Sequence, residues 1–293
     1  MSKILVTGSE GLIGAVLCKK LEKKYEIVHY DLKLKKNILN KKQFKKNLVG
    51  CVGVIHLAGE SRVPRGFKYP VRTIKNNVVG TGNILGAIKE IDPKIWCIYG
   101  SSREVYGEKK KKFKETDLLN PINVYATTKY ASELLMKNFC RNYGIETFVV
   151  RFSNVYGGLN DHKDRVIPKF MIQAMNNKNI TVDGGKQVFD FVHVDEATDG
   201  VVKLVDQIIS KKIKTKTFLL VTGKGTNIME LAKKIIKITK SNSKIEIKKS
   251  RDYDVNYFIG DPSGSKKNLG WSAKISLESG LRLYFKQMKK IKL

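Results

Sequence analysis

Cysteine is scarce in this chain of 293 residues and falls into no pattern. Cys18, Cys51, Cys97 and Cys140 have none of the short spacings that metal sites and redox pairs use. Histidine is equally scarce, at four, so no metal site can be assembled from sequence. Three of the cysteines sit in apolar contexts and read as buried thiols of a reducing compartment. Long hydrophobic runs are missing too. No stretch approaches the ~18 apolar residues of a membrane span, and the N-terminus runs straight into a strand pattern rather than a signal peptide. The expectation is a soluble, cytoplasmic protein without membrane insertion. Apolar residues make up 42% of the chain, enough for a real core in one large domain or two small ones. There are no internal repeats.

Acidic residues are few: 27 against 56 basic, a formal net charge of +29. Only 9 of the basic residues are Arg, and the Lys is spread along helix surfaces and loops, as in the run from Lys109 to Lys114. No zinc-finger, RNA-recognition or helix-turn-helix pattern accompanies it, so specific nucleic-acid binding is not expected. A lysine-biased composition accounts for the charge. It would still attract anionic substrates and give weak, salt-sensitive binding to polyanions.

What is present begins at the N-terminus. Lys3-Ile4-Leu5-Val6 reads as a strand, and Ala15 to Leu21 has apolar residues at helical spacing. Between them lie Gly8, Gly11 and Gly14. Glycines in a strand-to-helix turn aim backbone N–H groups and the positive helix end at an anion, typically a dinucleotide pyrophosphate. Gly8 allows the tight turn, Gly11 the close approach of phosphate, and Gly14 the packing of helix on strand, with Leu12 and Ile13 at the same helix start. The spacing is G-x-x-G-x-x-G rather than the commoner G-x-G-x-x-G, and a plain tight turn would also use these glycines. Asp31 ends the second strand, Glu26–Tyr30, about 20 residues further on, where a carboxylate can accept from adenosine ribose hydroxyls. That favours NAD over its 2′-phosphorylated form, although Lys33 and Lys35 could reach such a phosphate. Asp31 could equally be a helix cap.

Further strands are expected at Gly53–Leu57, Lys94–Tyr99 and Glu146–Arg151, and helices at Ile74–Glu90 and Tyr125–Tyr143. This alternation implies an α/β, doubly wound parallel sheet. The stretch from Asp31 to His56 is short for two strands and a helix, and its Asn37-Ile38 is placed over the adenine. After residue 150 the pattern becomes mixed. We expect residues 1–156 to form the dinucleotide-binding domain, with 188–209 returning to it, and 157–293 to form a smaller mixed α/β substrate lobe. The end of the chain, 289–293, reads as a frayed helix terminus.

Tyr125 and Lys129 stand one helical turn apart on one face. In such a pair the ammonium lowers the phenol's pKa and can bind a nicotinamide ribose, and the phenolate takes a hydroxyl proton while hydride leaves the same carbon. Upstream, Ile98 to Gly107 carries Ser101 and Ser102 at the carboxyl edge of the sheet, where open α/β folds bind ligands. Ser102 could hydrogen-bond the reacting oxygen.

These motifs resemble those of the extended short-chain dehydrogenase/reductases, in particular the NAD-dependent nucleotide-sugar epimerase/dehydratase family. The match continues through His56-Leu57-Ala58-Gly59, Asn77, Gly80-Thr81-Gly82-Asn83, Arg151 to Gly157, Val166-Ile167-Pro168, Asp190 to Asp195 and Leu269-Gly270-Trp271. The resemblance implies a Rossmann-type fold, NAD as cofactor and a nucleotide-sugar substrate. It makes Ser102, Tyr125 and Lys129 the catalytic triad, has Ala58, Gly59 and Asn77 line the nicotinamide side, and counts Leu57 and Ser101 among the cofactor contacts. Asn154 and Arg251 become contacts to the substrate's phosphates, with Arg103, Val166 and Lys169 also on the substrate side. A homodimer through the helices at 74–90 and 125–143 is implied as well. One departure is Phe189, where the family usually has Arg before Asp190; Arg251, Lys169 or Lys186 are candidates to replace that charge.

Enzymes resembling this chain begin alike, by oxidising the sugar at C4. An epimerase then needs only the triad and a roomy pocket. A 4,6- or 5,6-dehydratase, or a decarboxylase, uses a further base. Glu104 stands where those enzymes carry their Glu, whereas Arg103 stands where 4,6-dehydratases carry an acid, and Arg cannot be a general acid at neutral pH. Both side chains could instead point away or pair on the surface. The loop Gly59 to Pro70 should approach the sugar, or be a basic surface loop. The reading is a UDP-hexose-like 4-epimerase, with a dehydratase or a decarboxylase using Glu104 as the alternative. A non-catalytic NAD- or polyanion-binding relative ranks last.

Overall fold

The computed structural model describes residues 1–109, 111–250 and 255–290. The chain opens with β1 (Lys3–Thr7), α1 (Leu12–Leu21) and β2 (Glu26–Tyr30). A 3-10 turn at Leu32–Leu34 and α2 (Lys41–Leu48) lead to β3 (Cys51–His56). Then come α3 (Val63–Lys68), α4 (Pro70–Ile74), a π-helical turn (Lys75–Val79), α5 (Gly80–Ile91) and β4 (Trp96–Ser102). A 3-10 turn at Arg103–Tyr106 and α6 (Val124–Tyr143) precede β5 (Thr147–Phe152) and β6 (Asn154–Tyr156). Next are α7 (Val166–Met175), β7 (Ile180–Asp183), β8 (Val188–His193), α8 (Val194–Ile209) and β9 (Thr217–Leu220). The chain closes with β10 (Gly225–Asn227), α9 (Ile228–Thr239), β11 (Ile245–Lys248), β12 (Tyr257–Phe258), α10 (Ser263–Leu269) and α11 (Leu277–Lys290).

Six parallel strands form the main sheet in the order β2-β1-β3-β4-β5-β9. Both faces are covered, which is why the strands read as near-continuous apolar runs. Ile4, Val6 and Ile55 pack with Leu17 of α1 and Leu204 of α8 on one face. Leu5, Val54 and Tyr99 pack with Phe44 of α2 and Ile84 of α5 on the other. This is the expected Rossmann-type doubly wound sheet. The chain leaves β1 first to β2 on one side and then returns to β3 on the other. The reversal opens a crevice at the carboxyl ends of these strands.

One helix and a 3-10 turn join β2 to β3, as the short stretch from Asp31 to His56 allows. Three details differ from expectation. The helix expected at 74–90 starts at Pro70 and is interrupted by the π turn, which places Asn77 inside the protein at 2% exposure. β4 runs on to Ser102, so the hydroxyl residues are its last rungs, opposite Arg151 and Phe152. The sixth strand, β9, was not anticipated. Its four residues are too short to announce a strand, and only pairing with β5 makes them one.

Residues 188–209 run as β8 and α8, and α8 lies against α1, where Lys20 Nζ donates to the Asp195 carbonyl at 2.6 Å. The remaining C-terminal elements build on β8, which pairs with β6, β10 and β12, and on the β7–β11 pair. Phe170 of α7, Leu231 and Ile235 of α9 and Leu281 of α11 form their core. Residues 291–293 of the expected frayed end lie outside the described residues.

Candidate active site

The glycine turn has the geometry an anion cradle requires. Gly8 adopts φ +72, and a Cβ on it would stand 2.8 Å from the Ala58 nitrogen. A Cβ on Gly14 would stand 2.0 Å from the Gly8 carbonyl oxygen, so α1 can pack this close to β1 only without one. Gly11 is the N-cap of α1 and supplies no side-chain cap, which leaves the first N–H groups of the helix for a ligand. Asp31 ends β2 on the wall of the same cleft. Its Oδ2 accepts from the Glu10 nitrogen at 3.1 Å and its Oδ1 from the Lys33 nitrogen at 2.9 Å. Asp31 is therefore both a turn cap and a carboxylate at the cleft. Lys33 Nζ is turned to the Glu10 carbonyl at 3.2 Å. These residues, with Leu12, Ile13, Leu57, Ala58, Gly59 and Ser101 on the same wall, fit a dinucleotide.

Three expected cofactor residues lie off that wall. Asn37 folds back on its own loop: its Oδ1 accepts from the Leu39 nitrogen and its nitrogen donates to Gln43 Oε1, both at 2.9 Å. Ile38 is 7% exposed and is packed in the core against Gly80. Asn77 spends its amide on structure, accepting from the Glu60 nitrogen at 2.7 Å and donating to Thr128 Oγ1 at 2.9 Å. It ties the loop after β3 to α6.

Ser102, Tyr125 and Lys129 come together as expected at the carboxyl end of β4 and the first turns of α6. Asn123 caps α6, its Oδ1 accepting from the Ala126 nitrogen at 2.9 Å, which orients the turn carrying Tyr125. Tyr125 and Lys129 are 7% and 5% exposed. Lys129 Nζ donates to the Gly100 carbonyl at 2.8 Å. Burial pulls the Lys129 ammonium down to about 8, with the charge of Glu133 opposing. Burial pushes Tyr125 up to about 12; Glu104 adds to this, while a Ser102 hydrogen bond and the charges of Arg165 and Arg103 oppose it. The expected lowering of Tyr125 by Lys129 is not the dominant effect, because a phenol this deeply buried loses more from desolvation than its neighbours return.

Arg103 and Glu104 neither point away from the cleft nor pair on the surface. Arg103 Nη2 meets Glu104 Oε1 at 2.7 Å with both side chains at most 9% exposed. Arg103 Nε also donates to Asn154 Oδ1 at 3.2 Å, and Asn123 Nδ2 reaches Glu104 Oε2 at 3.4 Å. The Arg103 guanidinium lies over the rings of Phe189 and Phe258, at 4.5 and 5.6 Å. Asp190, beside Phe189, is a structural clip. Its carboxylate accepts from the Thr222 nitrogen (2.9 Å), Thr222 Oγ1 (2.7 Å) and the Gly223 nitrogen (2.8 Å).

The cleft encloses about 520 Å³ and adjoins a second cavity of about 280 Å³. Arg62, Pro64, Asp164, Val166 and Phe189 line both. Lys169 lines the second cavity, where its Nζ donates to the Thr181 carbonyl at 3.1 Å. Lys186 is exposed to solvent, and Arg251 lies outside the described residues. Sequence reasoning placed the loop of Arg62 near the sugar but did not single out Arg62, and it missed Asp161, Asp164 and Arg165. Their pairings join segments far apart in the chain and leave no local pattern. Among the described residues no group of His, Cys, Asp and Glu could hold a metal ion, and no helix is long and apolar enough to cross a membrane.

Residues 4–216 match the family model described as the NAD dependent epimerase/dehydratase family. The chain is 30% identical to a putative UDP-glucose 4-epimerase of Methanocaldococcus jannaschii, with 98% of each chain covered. It is 29% identical to a dTDP-D-glucose 4,6-dehydratase of Dictyostelium discoideum over 82% of its own length, and spans 62% of that longer protein. The crystal structure of UDP-glucuronic acid 4-epimerase from Bacillus cereus, in complex with UDP-glucuronic acid and NAD, superposes with a TM-score of 0.89 at 25% identity over 99% of both chains. With the glycine cradle and the Ser102, Tyr125 and Lys129 set in place, the chain belongs to the NAD-dependent epimerase/dehydratase family.

Proposed function

We propose that this protein is a nucleotide-sugar 4-epimerase that acts on a UDP-hexose-like substrate through a transient 4-keto sugar. The observation that carries this reading is the buried Arg103–Glu104 pair at 2.7 Å. A dehydratase or decarboxylase would need Glu104 as its base, and a carboxylate held by a buried guanidinium is a poor one. Removing one partner from such a buried pair costs about 3–5 kcal/mol. The triad, without Glu104, suffices for epimerisation.

NAD, when bound, supplies the hydride acceptor and donor for the sugar's C4. The cradle of Gly8, Gly11 and Gly14 would hold its pyrophosphate, and Asp31 its adenosine ribose. Ala58, Gly59 and Ser101 would wall the nicotinamide side, with Lys129 on the ribose. Tyr125, as its phenolate, would take the proton of the 4-hydroxyl, with Ser102 hydrogen-bonding that oxygen; the step needs the positive charges of Lys129 and of the bound nicotinamide to draw the phenol down from about 12. Arg103, Asn154, Val166 and Lys169 lie on the substrate side. Residues 1–156, with 188–209, would form the cofactor half; 157–293, less strand β9, would form the substrate lobe. Exposed Ile74 (45%), Val79 (49%) and Leu134 (43%) support dimerisation through the helices at 74–90 and 125–143, which light scattering would test. The four free cysteines suit a cytoplasmic setting.

The test is incubation with UDP-glucose, UDP-N-acetylglucosamine and UDP-glucuronic acid without added NADH. The expected product is an epimer of unchanged mass. Loss of water or of carbon dioxide would move the reading to the dehydratase or the decarboxylase. Tyr125→Phe should lower the rate by ~10²–10⁴ with the fold intact; full activity in that variant would remove Tyr125 from the mechanism.

A further inference from the structure

The two cavities meet at a neck, and a molecule reaching from Tyr125 into the second cavity must cross it. Arg62, Pro64, Asp164, Val166 and Phe189 line both sides. Arg62 Nη1 is paired with Asp164 Oδ1, and its Nη2 lies 3.4 Å from the Asp164 carbonyl. The pair is asymmetric. The Arg62 side chain is 9% exposed, whereas that of Asp164 is 70% exposed. The guanidinium belongs to the cavity wall and the carboxylate to water, so Asp164 can swing away at little desolvation cost while Arg62 cannot.

Among the described residues, three further cations near the neck are held elsewhere. Arg103 is taken by Glu104 and Asn154, Arg165 by Asp161 at 3.2 Å, and Lys169 by the Thr181 carbonyl. Phe189 brings no charge. The first residue of α7, Val166, lines both cavities, and α7 has neither a side-chain cap nor an acid in its first turn. Its positive end therefore adds to the potential at the neck. A planar guanidinium beside a helix N-terminus suits an anion with several oxygens that can take two parallel hydrogen bonds.

We propose that Arg62 receives the substrate's diphosphate at this neck, exchanging Asp164 for it, so that Asp164 is a built-in competitor for the substrate. This rests on the nucleotide-sugar reading above. In the bound state the Arg62 fork spans diphosphate oxygens, and Asp164 turns to solvent. The pair joins the loop before α3 to the loop before α7, one from each side of the cleft, and the exchange releases that link.

The test measures binding of UDP and of uridine to the NAD-loaded protein by calorimetry, for wild type, Arg62→Gln and Asp164→Asn. Arg62→Gln should weaken UDP by ~10-fold or more, the scale of a charge-assisted hydrogen bond, and leave uridine within about twofold. Asp164→Asn should tighten UDP several-fold, because the competitor loses its charge. Asp164 is exposed, so this variant should fold even where Arg62→Gln does not, and its opposite sign is not mimicked by general damage. Wild type that binds UDP while Asp164→Asn leaves the affinity unchanged or weaker overturns the exchange and leaves the nucleotide-sugar reading standing. Wild type that binds none of UDP, dTDP, GDP and CDP overturns that reading and the exchange with it.

Discussion

The Arg103 guanidinium stands 4.5 Å above the ring of Phe189. The two residues lie 86 apart in sequence, and the fold brings them into contact. Phe189 supplies a face on which the buried cation rests, and Glu104 supplies the countercharge.

This pairing predicts a stability cost. Arg103→Leu leaves the Glu104 carboxylate buried without its charge partner and should lose about 3–5 kcal/mol in denaturant unfolding. The double variant Arg103→Leu/Glu104→Gln should recover most of it, since neither charge is then stranded. Equal losses in both would contradict the pair. In the single variant Glu104 is also released, so traces of a water-loss product are expected from UDP-hexoses.

Lys129 predicts a rise of stability in alkali. Its ammonium is held at about 8 against 10.5 when unfolded. Between these values the unfolded chain binds more protons, so stability increases with pH. The gain is present above 10.5 and is lost as pH falls through 8. Comparing wild type with Lys129→Met by thermal unfolding across pH 8–10.5 should show the extra slope only in wild type.

His56 predicts acid lability. Its ring lies between Thr7 Oγ1 (2.8 Å) and Thr81 Oγ1 (3.0 Å) at 1% exposure. Burial, then the charge of Lys129, lowers its pKa from 6.5 to about 3. A depressed folded value gives stability that is present above 6.5 and is lost as pH falls toward 3. His56→Asn should start less stable but fall less steeply over that window. Parallel pH profiles would show that His56 does not titrate between the two states.

Two glycines should respond in opposite directions to the same change. Gly14→Ala places a methyl 2.0 Å from the Gly8 carbonyl oxygen and should destabilise by about 1–3 kcal/mol while weakening NAD binding. Gly82, within α5, has nothing within 4 Å of an added Cβ, and Gly82→Ala should stabilise by about 0.5–1 kcal/mol. Chemical denaturation of both variants checks the pair.

The sequence by itself determined the strand–glycine–helix unit, Asp31 at the end of β2, the one-turn spacing of Tyr125 and Lys129, and the alternation that makes a doubly wound sheet. All are local: covalent spacing and the periods of helix and strand settle them without help from the rest of the chain. Local signals were silent where packing decides. Ile38 and Asn77 read as cofactor contacts, yet one fills the core and the other spends its amide on Glu60 and Thr128. β9 is a strand because β5 offers it a partner, and Arg103–Glu104 is an ion pair whose burial no spacing reveals. Arg62 meets Asp164 across 102 residues. Only the tertiary structure decided these, because the worth of a charge or an amide depends on the water removed from around it, and that is set by segments distant in sequence.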